Sequence, residues 1–444
     1  MTKPTQLNGW LGLFALSLAL FSCSKSPVEH RAVLKNDVLS DCNIAVQNAV
    51  VVDHVAPPVG GRRYFYASVA AYESLVPFYP NQLSLSGQLK DMAPISYTLD
   101  TSLDYCLDLV AMAAHTYASK ALVYKEDSIA NFRERQLAYY KENLSKEVFE
   151  QSLAWGDEVG KQVVAWSASD SFNYYRGKEY YLAKNIPGYW QPTSPNYMDA
   201  VEPNWGRIRT SVAPDAEFIP LPGPAPYDLT PGSRYMVQAQ EVKDTVSHLD
   251  SMGLLMAKYW DDNPNATVHY GHATINILKV SPLGHWLSTY STVARNKKLS
   301  LMESAEGMVR LSAAVYDAFI LAFKAKYEYE YIRPETVIRN LWDSAWVPAI
   351  QTPSFPEYPS AHSVVSGAAG TLLTEMFGEV SYIDSAEMEF GLGTREFANF
   401  HEAAKEACYS RLYGGIHFRD AIEHGRDQGI KLGEYHIAHL KTRK

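Results

Sequence analysis

The chain has 444 residues, 47% of them hydrophobic and 20% charged, which supplies one large core or two intimate domains and excludes a disordered or fibrous protein. The formal net charge of −9 argues against a nucleic-acid partner, because such binding draws on Lys and Arg to neutralise phosphates.

Residues 1–23 read as an export signal, with Lys3 as a positive start and 10–21 as an apolar run too short to span a bilayer as a mature helix. The run ends Leu20-Phe21-Ser22-Cys23, similar to a bacterial lipobox. Cys23 is therefore the expected lipidation site of an exported lipoprotein, periplasmic or anchored to the outer membrane, with an ordinary secretory signal as the other reading. Cys42, Cys106 and Cys408 then remain, which allows at most one disulfide and offers no CxxC for a thiolate zinc site. Residues 24–44 are polar and are expected to be a tether between lipid and folded body.

From there the periodicity is helical. Ala67, Ala70, Ala71, Leu75 and Val76 follow the spacing of an amphipathic helix after Pro57-Pro58, and Leu107, Val110, Ala111 and Ala114 repeat it. Residues 170–232 hold Tyr174, Tyr175, Tyr180, Tyr181, Tyr189, Trp190 and Trp205 among many Pro and Gly, which predicts a long ordered excursion. Helical pattern resumes near Ser233 and runs to about Leu440, with long stretches over 305–327, 360–377 and 386–409. No sustained alternation predicts a strand. The expected fold is all-α, with an N-terminal helical region over 45–232 and a C-terminal helical domain over 233–444 that carries the site.

Three segments of the C-terminal half place cations and hydrogen-bonding groups where an amphipathic helix needs none. In the first, Lys326 and Arg333 are seven residues apart, which predicts one helix face, with Pro334 helping to end that helix. The second, Pro353-Ser-Phe-Pro-Glu-Tyr-Pro359-Ser360-Ala361-His362, runs into a small apolar helix, so backbone N–H groups and a hydroxyl stand at a positive helix end with a histidine one step inside. In the third, Ser410-Arg411 is followed by Gly414-Gly415 and His417, and the glycine turn lets Arg411 and His417 converge. Taken singly, each segment has an ordinary structural explanation: a solvated charged face, a serine N-cap, an Arg–carboxylate pair with a core histidine.

Lys-x6-Arg-Pro, then Pro-Ser-x-His, then Ser-Arg-x5-His, in that order, resembles the three-part signature of the type 2 phosphatidic acid phosphatase and vanadium haloperoxidase superfamily. Pro57-Pro58 and the Pro187-Gly-Tyr-Trp and Pro203-Asn-Trp-Gly stretches are also similar to soluble haloperoxidase-type members, so the resemblance covers roughly 45–440. It implies a large helical bundle of the acid phosphatase/vanadium haloperoxidase type around a tetrahedral oxyanion. Lys326, Arg333, Ser360, Ala361 and Arg411 would bind the oxyanion, with His417 at the axial position and His362 managing protons. With vanadate as cofactor, His417 would be the sole protein ligand of vanadium, and hydrogen peroxide and halide would be substrates. With a phosphate ester as substrate and no cofactor, His417 would be the nucleophile of an acid phosphatase. Two positions depart from the superfamily pattern: Ala361 stands where glycine is usual, and Ala421 where an aspartate is usual, leaving Asp420, one place earlier, to orient the His417 imidazole.

Two other classes compete. His417, Asp420 and His424 share a helix face at a spacing that can hold zinc, and the aromatic segment 172–205 suits a glycan-binding lipoprotein.

Overall fold

A computed structural model describes residues 31–96, 99–100, 102–178 and 180–444. Cys23 and the export signal lie outside the described residues. Fourteen α-helices are present among them, with three small two-stranded sheets. No described helix is long and apolar enough to cross a membrane.

Residues 24–44 are not all tether. A helix already runs over Val38–Asp53, because Val38, Leu39 and Cys42 are buried against the body. Pro57 then opens the helix Pro57–Leu75, where a missing N–H costs nothing, and this helix packs on Leu301–Tyr329. One hydrophobic cluster extends from Val38 to Leu440, so the expected division at 232/233 does not separate two cores. Helical pattern does resume at Arg234, with Ser233 as N-cap, and the excursion before it is mostly irregular.

The C-terminal half is organised by three helices, Leu301–Tyr329, Ala361–Phe377 and Arg419–His439, which pack on one another. Ser300 and Glu303 form a reciprocal capping box at the start of the first. The other two approach closely through glycines: a Cβ on Gly429 would lie 2.1 Å from the Val364 carbonyl oxygen, and one on Gly367 2.5 Å from that of Arg426. That seam fixes the helix carrying His362 against the one that follows His417.

The expected helix over 386–409 is confined to Phe400–Tyr413. Before it, Tyr382–Asp384 pairs antiparallel with Arg395–Phe397, and Tyr382, Phe397 and Phe400 bury their rings together. A second hairpin, Thr267–Tyr270 with Ala273–Asn276, projects from the body. Both are too short to leave a sustained period of two.

Candidate active site

Lys326 lies in the last turn of Leu301–Tyr329, but Arg333 is not on that helix. Glu330 adopts a left-handed conformation that ends it, and Arg333 becomes the extended N-cap of a new helix, Pro334–Leu341. Pro334 starts a helix rather than ending one, because its fixed φ suits the first helical position and pushes the preceding residue to an extended backbone.

The Lys326 ammonium donates to three backbone carbonyls, Pro356 at 2.9 Å, Glu357 at 3.0 Å and Pro359 at 2.5 Å. An ammonium has three protons, so all are used. Lys326, expected to hold an oxyanion, thereby also braces the proline-rich loop. Ser360, also expected as a direct donor, accepts from the Ser363 N–H and hydroxyl as the N-cap of Ala361–Phe377. Such a cap stabilises a helix by about 1 kcal/mol.

The remaining residues meet around a buried cavity of about 50 Å³, lined by Ala361, His362, Arg411 and His417 together with Pro57, Phe319, Phe323 and Phe355. It is smaller than the 680 Å³ cleft between Glu303, Arg310 and Arg443, whose charges are largely paired with one another or with neighbours. The small chamber is the one that brings Arg411, His362 and His417 together, and it is the candidate site for that reason. Arg411 ends the helix Phe400–Tyr413 and donates to Ser410 Oγ at 3.0 Å and to the Trp260 carbonyl. Gly415, at φ +77°, then turns the chain so that His417 faces the same space.

His417 is gripped from both sides. Its Nδ1 lies 2.8 Å from Glu357 Oε1, and its Nε2 lies 3.2 Å from Arg333 Nη1. A guanidinium only donates, so Nε2 is the acceptor and Nδ1 carries the proton. Arg333 also donates to the carbonyls of Phe355 and Ile416, while its Nη2 is buried without a partner.

The electrostatics share one cause. Burial, reinforced by Arg333, holds Lys326 well below its ordinary value, and burial brings Arg333 down to about 10. Burial followed by Arg333, Lys326 and Arg411 keeps His417 neutral. Burial, Arg411 and His285 do the same for His362. Arg411 in the chamber wall, which also holds Asp261 and Asp262, and the unpartnered guanidinium nitrogen of Arg333 beside His417 are the groups that suit a multiply charged oxyanion such as vanadate.

Asp420 does not orient His417. It pairs with Arg234 at 2.5 Å, and its N–H donates to Gln238 Oε1. The orienting group is Glu357, which also accepts from the Phe418 N–H at 2.9 Å. The zinc alternative fails on the same geometry: His417 goes to Glu357, Asp420 to Arg234, and His424 to the Tyr358 hydroxyl at 2.9 Å.

Comparison with known proteins identifies the family. A solved structure described as the first bacterial vanadium-dependent iodoperoxidase is 35% identical, covers 92% of this chain and 97% of its own, and superposes with a TM-score of 0.87. The chain belongs to the vanadium-dependent haloperoxidase family. Residues 307–443 match the VCPO second helical-bundle domain. The fold extends to holo and apo structures of a bacterial vanadium-dependent chloroperoxidase, at 17% and 15% identity, TM-scores of 0.67 and 0.64, and 87% and 86% coverage of this chain, with 94% of each of theirs. No curated protein matches the chain.

Sequence reasoning missed two carboxylates of this haloperoxidase site. Glu357 lies inside the proline-rich motif and carried a signal in being acidic there. Asp262, whose Oδ2 is 3.5 Å from His362 Nε2, lies 100 residues earlier and gave none. Phe323 and Phe355 line the chamber and pack on each other at 5.2 Å. Trp190 and Trp205 of the excursion are buried against the body, which removes them from a glycan platform. Val201 of the same segment donates to the Ser354 carbonyl at 2.8 Å, tying the excursion to the active-site loop.

Proposed function

We propose that this member of the family oxidises halide with hydrogen peroxide, using vanadate held in the chamber lined by Arg411 and His417, with Arg333 beside His417. The observation that carries the reading is His417, which lines the chamber with Nε2 as an unprotonated acceptor next to Arg333 while Glu357 holds its other nitrogen. That arrangement suits a single nitrogen ligand to vanadium. Arg333 and Arg411 offset the charge of the oxyanion, and the N–H of Ala361 at the start of its helix adds a donor. Lys326 and Ser360 act one step back, by fixing the loop and the helix end. Vanadate, when bound, supplies Lewis-acid activation of peroxide for two-electron oxidation of halide. His362, kept neutral by its surroundings, accepts and returns the protons of peroxide. Phe319, Phe323 and Phe355 give the chamber an apolar wall against which a large, weakly hydrated halide can rest.

Iodide is the halide to test first, because the 35% identical relative is described as an iodoperoxidase. The assay is peroxide-dependent iodide oxidation with and without added vanadate, run beside phosphate release from an aryl phosphate. Vanadate-dependent iodide oxidation is expected. Phosphate release without iodide oxidation would overturn the reading in favour of the phosphatase alternative. We further propose export and anchoring through a lipidated Cys23, supported by the lipobox-like ending of the signal. Cys42, Cys106 and Cys408 are all buried and unpaired in the folded body.

A further inference from the structure

Beside His362 lies a second polar cluster, which reaches the chamber through Asp262. Asp262 follows the helix Ser251–Tyr259, His285 sits in the first turn of Pro282–Asn296, and Glu387 precedes the short turn Met388–Phe390. All three are buried, at 3%, 0% and 2% exposure. Among the described residues they are the one group of three or more His, Cys, Asp or Glu whose ligand atoms lie within 4.8 Å of one another.

We propose that Asp262, His285 and Glu387 form a binding site for a divalent cation of the zinc class, which adjoins the oxyanion chamber through Asp262. His285 Nδ1 is 2.9 Å from Asp262 Oδ1 and 3.9 Å from Glu387 Oε1. Zinc bonds nitrogen and oxygen at about 2.0–2.2 Å, so tetrahedral ligands stand about 3.3–3.5 Å apart, between those two separations. The outer partner is in place as well: His285 Nε2 meets Asp384 Oδ2 at 2.9 Å, and Asp384 Oδ1 accepts the Ala386 N–H at 2.9 Å. A carboxylate behind a ligating histidine fixes its orientation and raises its basicity.

A second observation points to a ligand. Glu387 Oε1 is buried and has no hydrogen-bond partner, while Asp262 Oδ2 makes no hydrogen bond and faces His362 Nε2 at 3.5 Å. Buried carboxylate oxygens are rarely left unpaired, since stripping them of water costs free energy that a cation or a donor must offset. Lys279 pairs with Asp261, and Arg411 acts on Asp262 rather than Glu387. Trp260 stacks on His285 at 4.3 Å and 12°, closing one side. A cation here would fix Asp262, and through its free oxygen the position of His362.

The test is metal analysis of the full-length protein purified without chelator, followed by substitution with Co2+, whose visible absorption reports tetrahedral nitrogen and oxygen ligation. About one zinc-class ion per chain is expected, falling about ten-fold or more in Glu387→Gln. Glu389→Gln, at an exposed neighbouring position, should keep the metal. Thermal melting confirms that both variants fold, and neither readout depends on vanadate or on turnover. Absence of metal together with failure to take up Co2+ overturns the proposal, and so does equal metal content in folded Glu387→Gln.

Discussion

Glu357 Oε1 lies 2.8 Å from His417 Nδ1 and directs the opposite nitrogen into the cationic chamber. Burial pushes this carboxyl up to about 8, although Arg333 and Lys326 pull it down, so its essential property is an accepting oxygen rather than a charge. Glu357→Ala removes the acceptor and leaves the His417 tautomer unfixed, which should weaken vanadate binding about 10- to 100-fold. Glu357→Gln keeps a carbonyl oxygen and should retain most of the affinity. Vanadate titration of both apo variants checks this, and equal losses would contradict it.

His417 and His362 line the same cavity with different surroundings. His417→Ala should abolish turnover and severely weaken vanadate binding. His362→Ala should keep most of the affinity, because Arg333 and Arg411 remain, while losing about 10²- to 10⁴-fold in rate with proton transfer. Affinity and turnover measured on both variants decide it: a similar loss of affinity in the two would show the division of roles to be wrong.

The seam beneath His362 is sensitive to a single methyl group. Gly429→Ala places a Cβ 2.1 Å from the Val364 carbonyl oxygen, so the helices Ala361–Phe377 and Arg419–His439 must separate. A destabilisation of about 1–3 kcal/mol is expected. Denaturant unfolding measures it, together with reduced activity, since the helix carrying His362 moves.

Buried neutral histidines make stability fall in acid. Burial alone holds His115 down to about 3 from its usual 6.5, and both ring nitrogens lack partners. Because the folded value is depressed, native and unfolded chains are both unprotonated there above pH 6.5; as pH falls from 6.5 towards 3, only the unfolded chain takes up the proton. The stability lost to this residue between pH 7 and 5 is about 2 kcal/mol. His115→Leu should therefore show a shallower decline over that interval, read by denaturant unfolding at both pH values.

The cysteine at the end of the export signal carries the last expectation. Cys23→Ala should release the protein from the membrane fraction, or mislocalise it, without changing the activity of purified protein. Cell fractionation with immunoblotting reads this. Undiminished membrane association of the variant would remove the lipid anchor from the account.

The sequence by itself determined the helical class, the core helices and the three chemistry-bearing segments, because helix periodicity and motif spacing are local properties of the chain. It also brought Arg411 and His417 to one turn, since Gly414 and Gly415 lie between them. It misjudged 386–409, where helix-forming residues such as Glu387, Met388 and Glu389 stand between the strands Tyr382–Asp384 and Arg395–Phe397, and rings from distant positions decide the pairing. Only the tertiary structure decided which carboxylate holds His417, that Lys326 spends its protons on backbone carbonyls, and that Asp262 stands behind His362. Those contacts join residues 30 to 100 positions apart. Each depends on how helices pack and on which polar groups are stripped of water together, and neither leaves a periodic mark in the order of the amino acids.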